Sequence, residues 1–198
     1  MSSGEVVHRA SGAGGKVDKS GVIRAAKPSD AEAVATIYAP AVEDSIISFE
    51  LAAPDEHEVR RRIVETLKRF PWLVWDEGGV IKGYAYASEH RSRPAYQWSV
   101  EVSVYIREDA RGKGIASALY KNLFEILKKQ GYYNAYAGIT EPNPGSVALH
   151  ERLGFSKIGV YHSVGHKLGA WRDVSWWHLA LKPHAQMPAP PTNYEDLK

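Results

Sequence analysis

The segment Arg111-Gly112-Lys113-Gly114-Ile115-Ala116 joins an apolar strand, Val100-Glu101-Val102-Ser103-Val104-Tyr105-Ile106, directly to a long amphipathic helix. A strand, a glycine turn and a helix in direct succession read as one unit of an α/β domain. Glycines lack Cβ, so a bulky anion can approach the main chain there. A helix that opens at such a turn presents N–H groups with no intrahelical partner. Arg111 and Lys113 add positive charge at the same corner. Two readings stand: a cradle for a pyrophosphate, or a tight strand-to-helix connection. A Walker loop is absent, since the near miss Gly14-Gly15-Lys16 is followed by Val17, and there is no Gly-x-Gly-x-x-Gly run.

Around this unit the pattern predicts three regions. Residues 1–21 are rich in Gly, Ser and charge and read as a flexible leader. Residues 22–182 read as one domain without repeats, and 183–198, with Pro183, Pro188, Pro190 and Pro191, as an extended tail. Within the domain a strand at 22–26 precedes a helix with a Ser29–Glu32 capping box and the apolar period Val34, Ile37, Ala41. A second helix starts at Asp55 and ends before Pro71. Strands follow at 72–75, 80–88 and 97–106. After the glycine turn, Ile115, Leu119, Leu123, Ile126 and Leu127 face a core until Gly131. A strand at 133–140 and a short helix capped by Asn143, with Pro144 at its first position, come next. Strands at 155–161 and 171–181 close the domain. The expected class is a mixed α/β fold, a central mixed sheet flanked by helices, in the order β-α-α-β-β-β-α-β-α-β-β.

At 198 residues, 44% hydrophobic, the chain can bury one proper core. A net charge of +2 gives no sign of a protein dominated by nucleic-acid phosphates or anionic lipid. No apolar run approaches the roughly 20 residues that span a bilayer. The lack of cysteine excludes disulfides, zinc–thiolate sites and a cysteine nucleophile together. A soluble cytoplasmic protein is expected, with neither nucleic acid nor membrane as partner. His162 and His166 share a metal-like spacing but fall across an expected strand end and turn, with no third ligand pattern nearby, so no metal is expected.

Arg111, Gly114 and Ala116, spaced Arg-x-x-Gly-x-Ala, resemble the acetyl-coenzyme A signature of the GCN5-related N-acetyltransferase (GNAT) family, whose element order is the one above. Several further segments resemble the branch containing phosphinothricin and methionine sulfoximine N-acetyltransferases. They include Gly83-Tyr84-Ala85-Tyr86-Ala87, Arg91-Ser92-Arg93-Pro94-Ala95-Tyr96, Glu101-Val102-Ser103-Val104-Tyr105, Pro142 to His150, and Val164 to Val174. The resemblance implies acetyl transfer from acetyl-CoA to the α-amine of a small amino acid or analogue, and a homodimer. Trp75 departs from the branch, where alanine is frequent, and bears on acceptor size.

The strand at 98–106 alternates, with Val100, Val102, Val104 and Ile106 on one face and Ser99, Glu101, Ser103 and Tyr105 on the other. Glu101 is therefore either a solvated strand residue or a carboxylate lining a cleft. The resemblance assigns it as the general base that removes the ammonium proton, directly or through water. It also implies that Val104, Tyr105 and Ile106 meet the cofactor through their main chain, together with Arg111, Gly112, Lys113, Gly114, Ile115 and Ala116. Asn143 and Ser146 are further cofactor candidates, although Asn143 also caps its helix. His150 occupies the position where many family members place a tyrosine beside the departing sulfur, and reads either as a proton donor or relay or as a structural histidine. Arg91 and Arg93 can grip an acceptor carboxylate or phosphinate in a bidentate fork. Phe49, Tyr96, Lys167 and Trp171 complete the acceptor candidates, with core packing as the other reading of the aromatics.

Two rival functions are compatible with parts of this pattern. One keeps the chemistry and takes a protein N-terminus, lysine or polyamine as acceptor; a cationic acceptor favours an acidic mouth, which Arg91 and Arg93 oppose. The other is a CoA-binding regulatory module without turnover, which has no need of Glu101.

Overall fold

A computed structural model describes residues 21–197. Residues 1–20 of the expected leader at 1–21, and Lys198, lie outside the described residues. The chain runs β1 (Val22–Ala25), α1 (Ala31–Glu43), α2 (Glu56–Arg69), β2 (Trp72–Glu77), β3 (Val80–Glu89), β4 (Ser99–Ile106), α3 (Ile115–Gln130), β5 (Asn134–Thr140), α4 (Pro144–Arg152), β6 (Ser156–Lys167) and β7 (Ala170–Ala180). This is the expected mixed α/β order. The seven strands form one sheet in the order β1-β2-β3-β4-β5-β7-β6, antiparallel except where β4 meets β5.

Alternation of side chains sorts the sheet residues into two cores. Val34, Ile37, Val59 and Ile63 of α1 and α2 pack on Trp72, Val74 and Tyr84. Leu119, Leu123 and Leu127 of α3 pack on Leu73, Trp75, Ala85, Ala87, Val100 and Val102 of the opposite face. Trp75 is 2% exposed in this second core. A Cβ added to Gly21 would fall 2.1 Å from its ring, so the indole fills the space beside Gly21.

Most helix ends follow their sequence signals. Asp55 Oδ1 accepts the Glu58 N–H at 2.8 Å, Gly131 closes α3 at φ 103°, and Asn143 Oδ1 accepts the Ser146 N–H at 3.1 Å. The first helix differs. The Ser29–Glu32 box is replaced by a short 3₁₀ turn, Pro28–Asp30, in which Asp30 accepts the Lys27 N–H at 2.7 Å. Asp30 also takes two bonds from Arg24, at 2.8 and 2.9 Å, which tie β1 to the start of α1.

The proline-rich segment includes a 3₁₀ turn, Tyr194–Asp196, and lies back on the domain. The Trp98 indole donates to the Ala189 carbonyl at 2.8 Å, and Gln130 donates to the Thr192 carbonyl at 2.8 Å. Strand β6 runs past its expected end at Tyr161 because a bulge, with Ser163 at φ 49°, carries it on to Lys167. Asp173 holds that bulge by accepting the Ser163 N–H and pairing with His162, each at 2.8 Å. Among the described residues no helix is long and apolar enough to cross a membrane.

Candidate active site

The central feature is a place where two neighbouring strands part. β3 pairs with β4 along Val100 to Ile106, whereas β5 pairs with β4 only at Ser99↔Asn134, Val100↔Ala135 and Glu101↔Tyr136. Beyond Tyr136, β5 follows β7 as far as Thr140↔Val174. The main-chain groups of successive strand residues point alternately to the two sides. The Trp98 carbonyl accepts from Tyr133 on the β5 side, and the Arg107 N–H donates to Lys82 on the β3 side. Even-numbered residues therefore address β5. Val102, Val104 and Ile106 present their N–H and C=O groups to the opening, while the main chain of Tyr105 is turned to β3.

The opening leads to the glycine turn. Gly112 and Gly114 sit at φ 75° and 81°, and Gly114 is the N-cap of α3. The first helical bond runs from the Ala118 N–H to the Gly114 carbonyl at 3.1 Å. The N–H groups of Gly114, Ile115, Ala116 and Ser117 are thus the unpaired ones at a helix start, where the helix dipole also favours an anion. Arg111 Nε reaches the Ile106 carbonyl at 3.4 Å, and Lys113 is exposed. Asn143 caps α4 through its side-chain oxygen, which accepts the Ser146 N–H.

Glu101 lies at the last paired position before the strands part. Its carboxylate Oε1 is 3.0 Å from His90 Nδ1 and 3.8 Å from Arg91 Nη1. His90 follows the end of β3, and the Ser88↔Glu101 register brings it beside the carboxylate. Its ring stacks on Tyr136 at 4.3 Å and 13°, with Tyr96 and Trp176 edge-on at 6.1 and 6.2 Å. Arg91 lies 5.9 Å from the Trp176 ring, and Tyr161 packs on the same indole at 5.6 Å. Glu101, Arg91 and Tyr96 therefore converge, joined by His90, Tyr136, Trp176 and Tyr161, which the sequence reading did not single out.

Other expected residues are placed differently. Lys167 is a correction: it is 6% exposed, and its ammonium donates to the carbonyls of Val42, Ser48 and Glu50 at 2.5, 2.5 and 2.9 Å. It has no donor to spare for an acceptor and instead ties the β6–β7 hairpin to the loop after α1. That loop carries Phe49, whose ring lies over Gly165; a Cβ there would meet it at 2.3 Å. Glu50 extends the same tie, accepting from Arg62 at 2.7 and 3.1 Å and from the Tyr38 hydroxyl at 2.9 Å. Those Arg62 bonds hold its carboxyl below the usual range against partial burial. Trp171 stands 66% exposed at the hairpin tip, edge-on to His166, and shares no ring stacking or hydrogen bond with the residues around Glu101 among the described residues. Arg93 is exposed at the start of a 3₁₀ turn and makes no side-chain hydrogen bond or ion pair among the described residues.

His150 is the deepest of the candidates, 3% exposed on α4. Its Nδ1 donates to the Ser146 carbonyl at 2.8 Å, which leaves Nε2 as acceptor for the Tyr120 hydroxyl at 3.4 Å. Burial lowers its pKa and outweighs the Ser146 bond, so the ring is neutral near pH 7. Burial likewise pushes the Tyr120 phenol up, and it stays protonated. Both nitrogens of this expected proton donor are thus engaged, one by the main chain and one by Tyr120. It sits on the α3 side of β4, opposite to Glu101.

Among the described residues no cluster of three or more His, Cys, Asp or Glu could hold a metal. The arrangement can hold an anion at α3, lay an amide-bearing chain along the open edge of β4, and offer a carboxylate at the end of that path.

The chain matches the family described as acetyltransferase (GNAT) domain over residues 23–176. It is 36% identical to a phosphinothricin N-acetyltransferase of Streptomyces viridochromogenes over 85% of this chain and 90% of that protein. It is 32% identical to an L-methionine sulfoximine/L-methionine sulfone acetyltransferase of Salmonella typhimurium, over 82% and 96%. A crystal structure of a phosphinothricin acetyltransferase from Sinorhizobium meliloti in complex with AcCoA superposes with a TM-score of 0.80 at 33% identity, covering 88% and 98%.

Proposed function

The chain belongs to the GNAT acetyltransferase family, and on that premise we propose that it moves acetyl from acetyl-CoA to the α-amine of a small amino acid analogue of the phosphinothricin or methionine sulfoximine type. It is an acetyl-CoA-dependent N-acetyltransferase. The observation that carries the reading is the early end of β4–β5 pairing, which leaves a free main-chain edge between the α3 N-terminus and Glu101.

In this reading the N–H groups from Gly112 to Ala116, with Arg111 and Lys113, take the diphosphate. The open groups of Val104 and the N–H of Ile106 pair the pantetheine amides, and Asn143 and Ser146 border the path from α4. Arg91 and Arg93 receive the acceptor's carboxylate, with Tyr96 and Phe49 as apolar walls. Glu101 removes one proton from the ammonium. The freed lone pair forms the C–N bond, the thioester C–S bond breaks, and the second proton lost from nitrogen goes to the departing thiolate, which leaves as the thiol. A main-chain N–H on the open edge steadies the oxyanion that forms between these events. The same reading places the chain in the cytoplasm, with its acetyl donor.

Replacing Gly112 by Ala tests the cradle. At φ 75° any side chain costs roughly 1–2 kcal/mol, and space is not the obstacle, since nothing lies within 4 Å of the added Cβ. The expected outcome is a KM for acetyl-CoA raised by roughly 10-fold, consistent with that strain, with the acceptor KM unchanged. A homodimer is part of the proposal, supported by Ile158, Val164, Leu168 and Trp171, all at least 50% exposed on one hairpin. Light scattering after size exclusion should give the mass of two chains; the mass of one would contradict it.

Thiol release from acetyl-CoA, measured against amino acids, their sulfoximine and phosphinate analogues and a peptide, tests the whole reading. Turnover with the analogues is expected. Release with peptide alone would transfer the chemistry to a macromolecular acceptor.

A further inference from the structure

We propose that His90 is a positioning residue for the Glu101 carboxylate. It would fix one oxygen so that the other faces the acceptor amine. The inference rests on the reading of Glu101 as the base and extends it to a residue outside that assignment.

Glu101 Oε1 receives both neighbouring donors, His90 Nδ1 at 3.0 Å and Arg91 Nη1 at 3.8 Å. Oε2 has no hydrogen-bond partner among the described residues. A carboxylate held at one oxygen has its second directed, which is what a base needs if it is to meet a proton along one line. The imidazole itself has little freedom. Its side chain is 12% exposed, stacked on Tyr136 and closed in by the edges of Tyr96 and Trp176. Each of those contacts comes from a different element, β5, the β3–β4 connection and β7, so rotating the ring away from Glu101 requires three separate adjustments.

The charged and titratable groups facing His90 are Glu101 from β4, Tyr136 from β5, and Arg91 and Tyr96 from the β3–β4 connection; Trp176 from β7 is uncharged. Glu101 is the one acceptor among them within hydrogen-bond reach of Nδ1, so this nitrogen carries the proton and donates. No proton crosses the bond in the reaction. Glu101 gains the ammonium proton on Oε2 and returns it to water, and His90 keeps its own throughout.

Two variants separate the donor from the ring. His90→Phe keeps an aromatic surface for Tyr136 and removes the N–H. His90→Asn removes the ring and restores an N–H near the position of Nδ1. The phenylalanine variant should lower kcat/KM for the acceptor by roughly 10-fold, the lower end of what a hydrogen bond to a charged group contributes. The KM for acetyl-CoA should stay put. The asparagine variant should recover most of the rate, which a merely structural role of the ring would not allow. Thermal melts of both confirm that each is folded. An acceptor kcat/KM equal to wild type in His90→Phe would overturn the inference, as would His90→Asn performing no better than His90→Phe. Glu101→Gln is assayed alongside. Full turnover there would remove the base assignment, and this inference with it. An inactive Glu101→Gln beside a fully active His90→Phe would remove His90 alone.

Discussion

Glu101→Gln is expected to lower turnover at saturating substrates by roughly 10²–10⁴, or about 3–5 kcal/mol of barrier. The size follows from the chemistry. At neutral pH the acceptor arrives as an ammonium ion with no lone pair to attack a thioester. Glutamine keeps the side chain's volume, and its amide oxygen still accepts the His90 bond, so the aromatic cluster around it has no reason to move. What disappears is the capacity to take a proton. The KM for acetyl-CoA should hold, because the cradle at α3 is built from main chain. Rapid mixing followed by thiol release at saturation is the measurement, and unchanged turnover would remove Glu101 from this role.

Lys167→Met should lower stability by about 3 kcal/mol, since three carbonyls lose a charged donor and only part of that loss is made good by water. For a chain of this size that is a fall of about 6–12 °C in melting temperature. The carbonyls belong to the end of α1 and the loop that carries Phe49. A loosened loop should therefore also raise the acceptor KM and leave the acetyl-CoA KM unchanged. A melting temperature within a degree or two of wild type would mean that the ammonium is replaceable there.

Lys167 also shows where sequence reading stops. Its segment suggests a contact with the acceptor, whereas its ammonium is spent on the carbonyls of Val42, Ser48 and Glu50. Its partners lie 117 to 125 residues earlier, and no local pattern encodes such a contact. His90 escaped for a related reason. It neighbours Arg91 in the chain, yet its meaning depends on the Ser88↔Glu101 and Glu101↔Tyr136 registers, which are set by pairing between strands.

What was legible is what short-range physics controls. The period-two alternation of β4 correctly separated Glu101 and Tyr105 from the valines. Asp55, Gly131 and Asn143 announced the helix ends they form, and the glycine turn announced a helix start. Ser29 misled because Pro28 and the Arg24 pairing favour Asp30 as the capping carboxylate. The pattern ends β6 at Tyr161, with His162 and His166 falling across an expected strand end and turn. Asp173, across the hairpin, converts that turn into a bulge.

The parting of β4 from β5 carries the functional account, and a crystal structure of the protein with coenzyme A tests it most directly. The account predicts the diphosphate against the N–H groups of residues 112–116 and the pantetheine arm along the open edge at Val104, its thiol end near Glu101. A ligand seated elsewhere, with that edge and the α3 N-terminus empty, would contradict it.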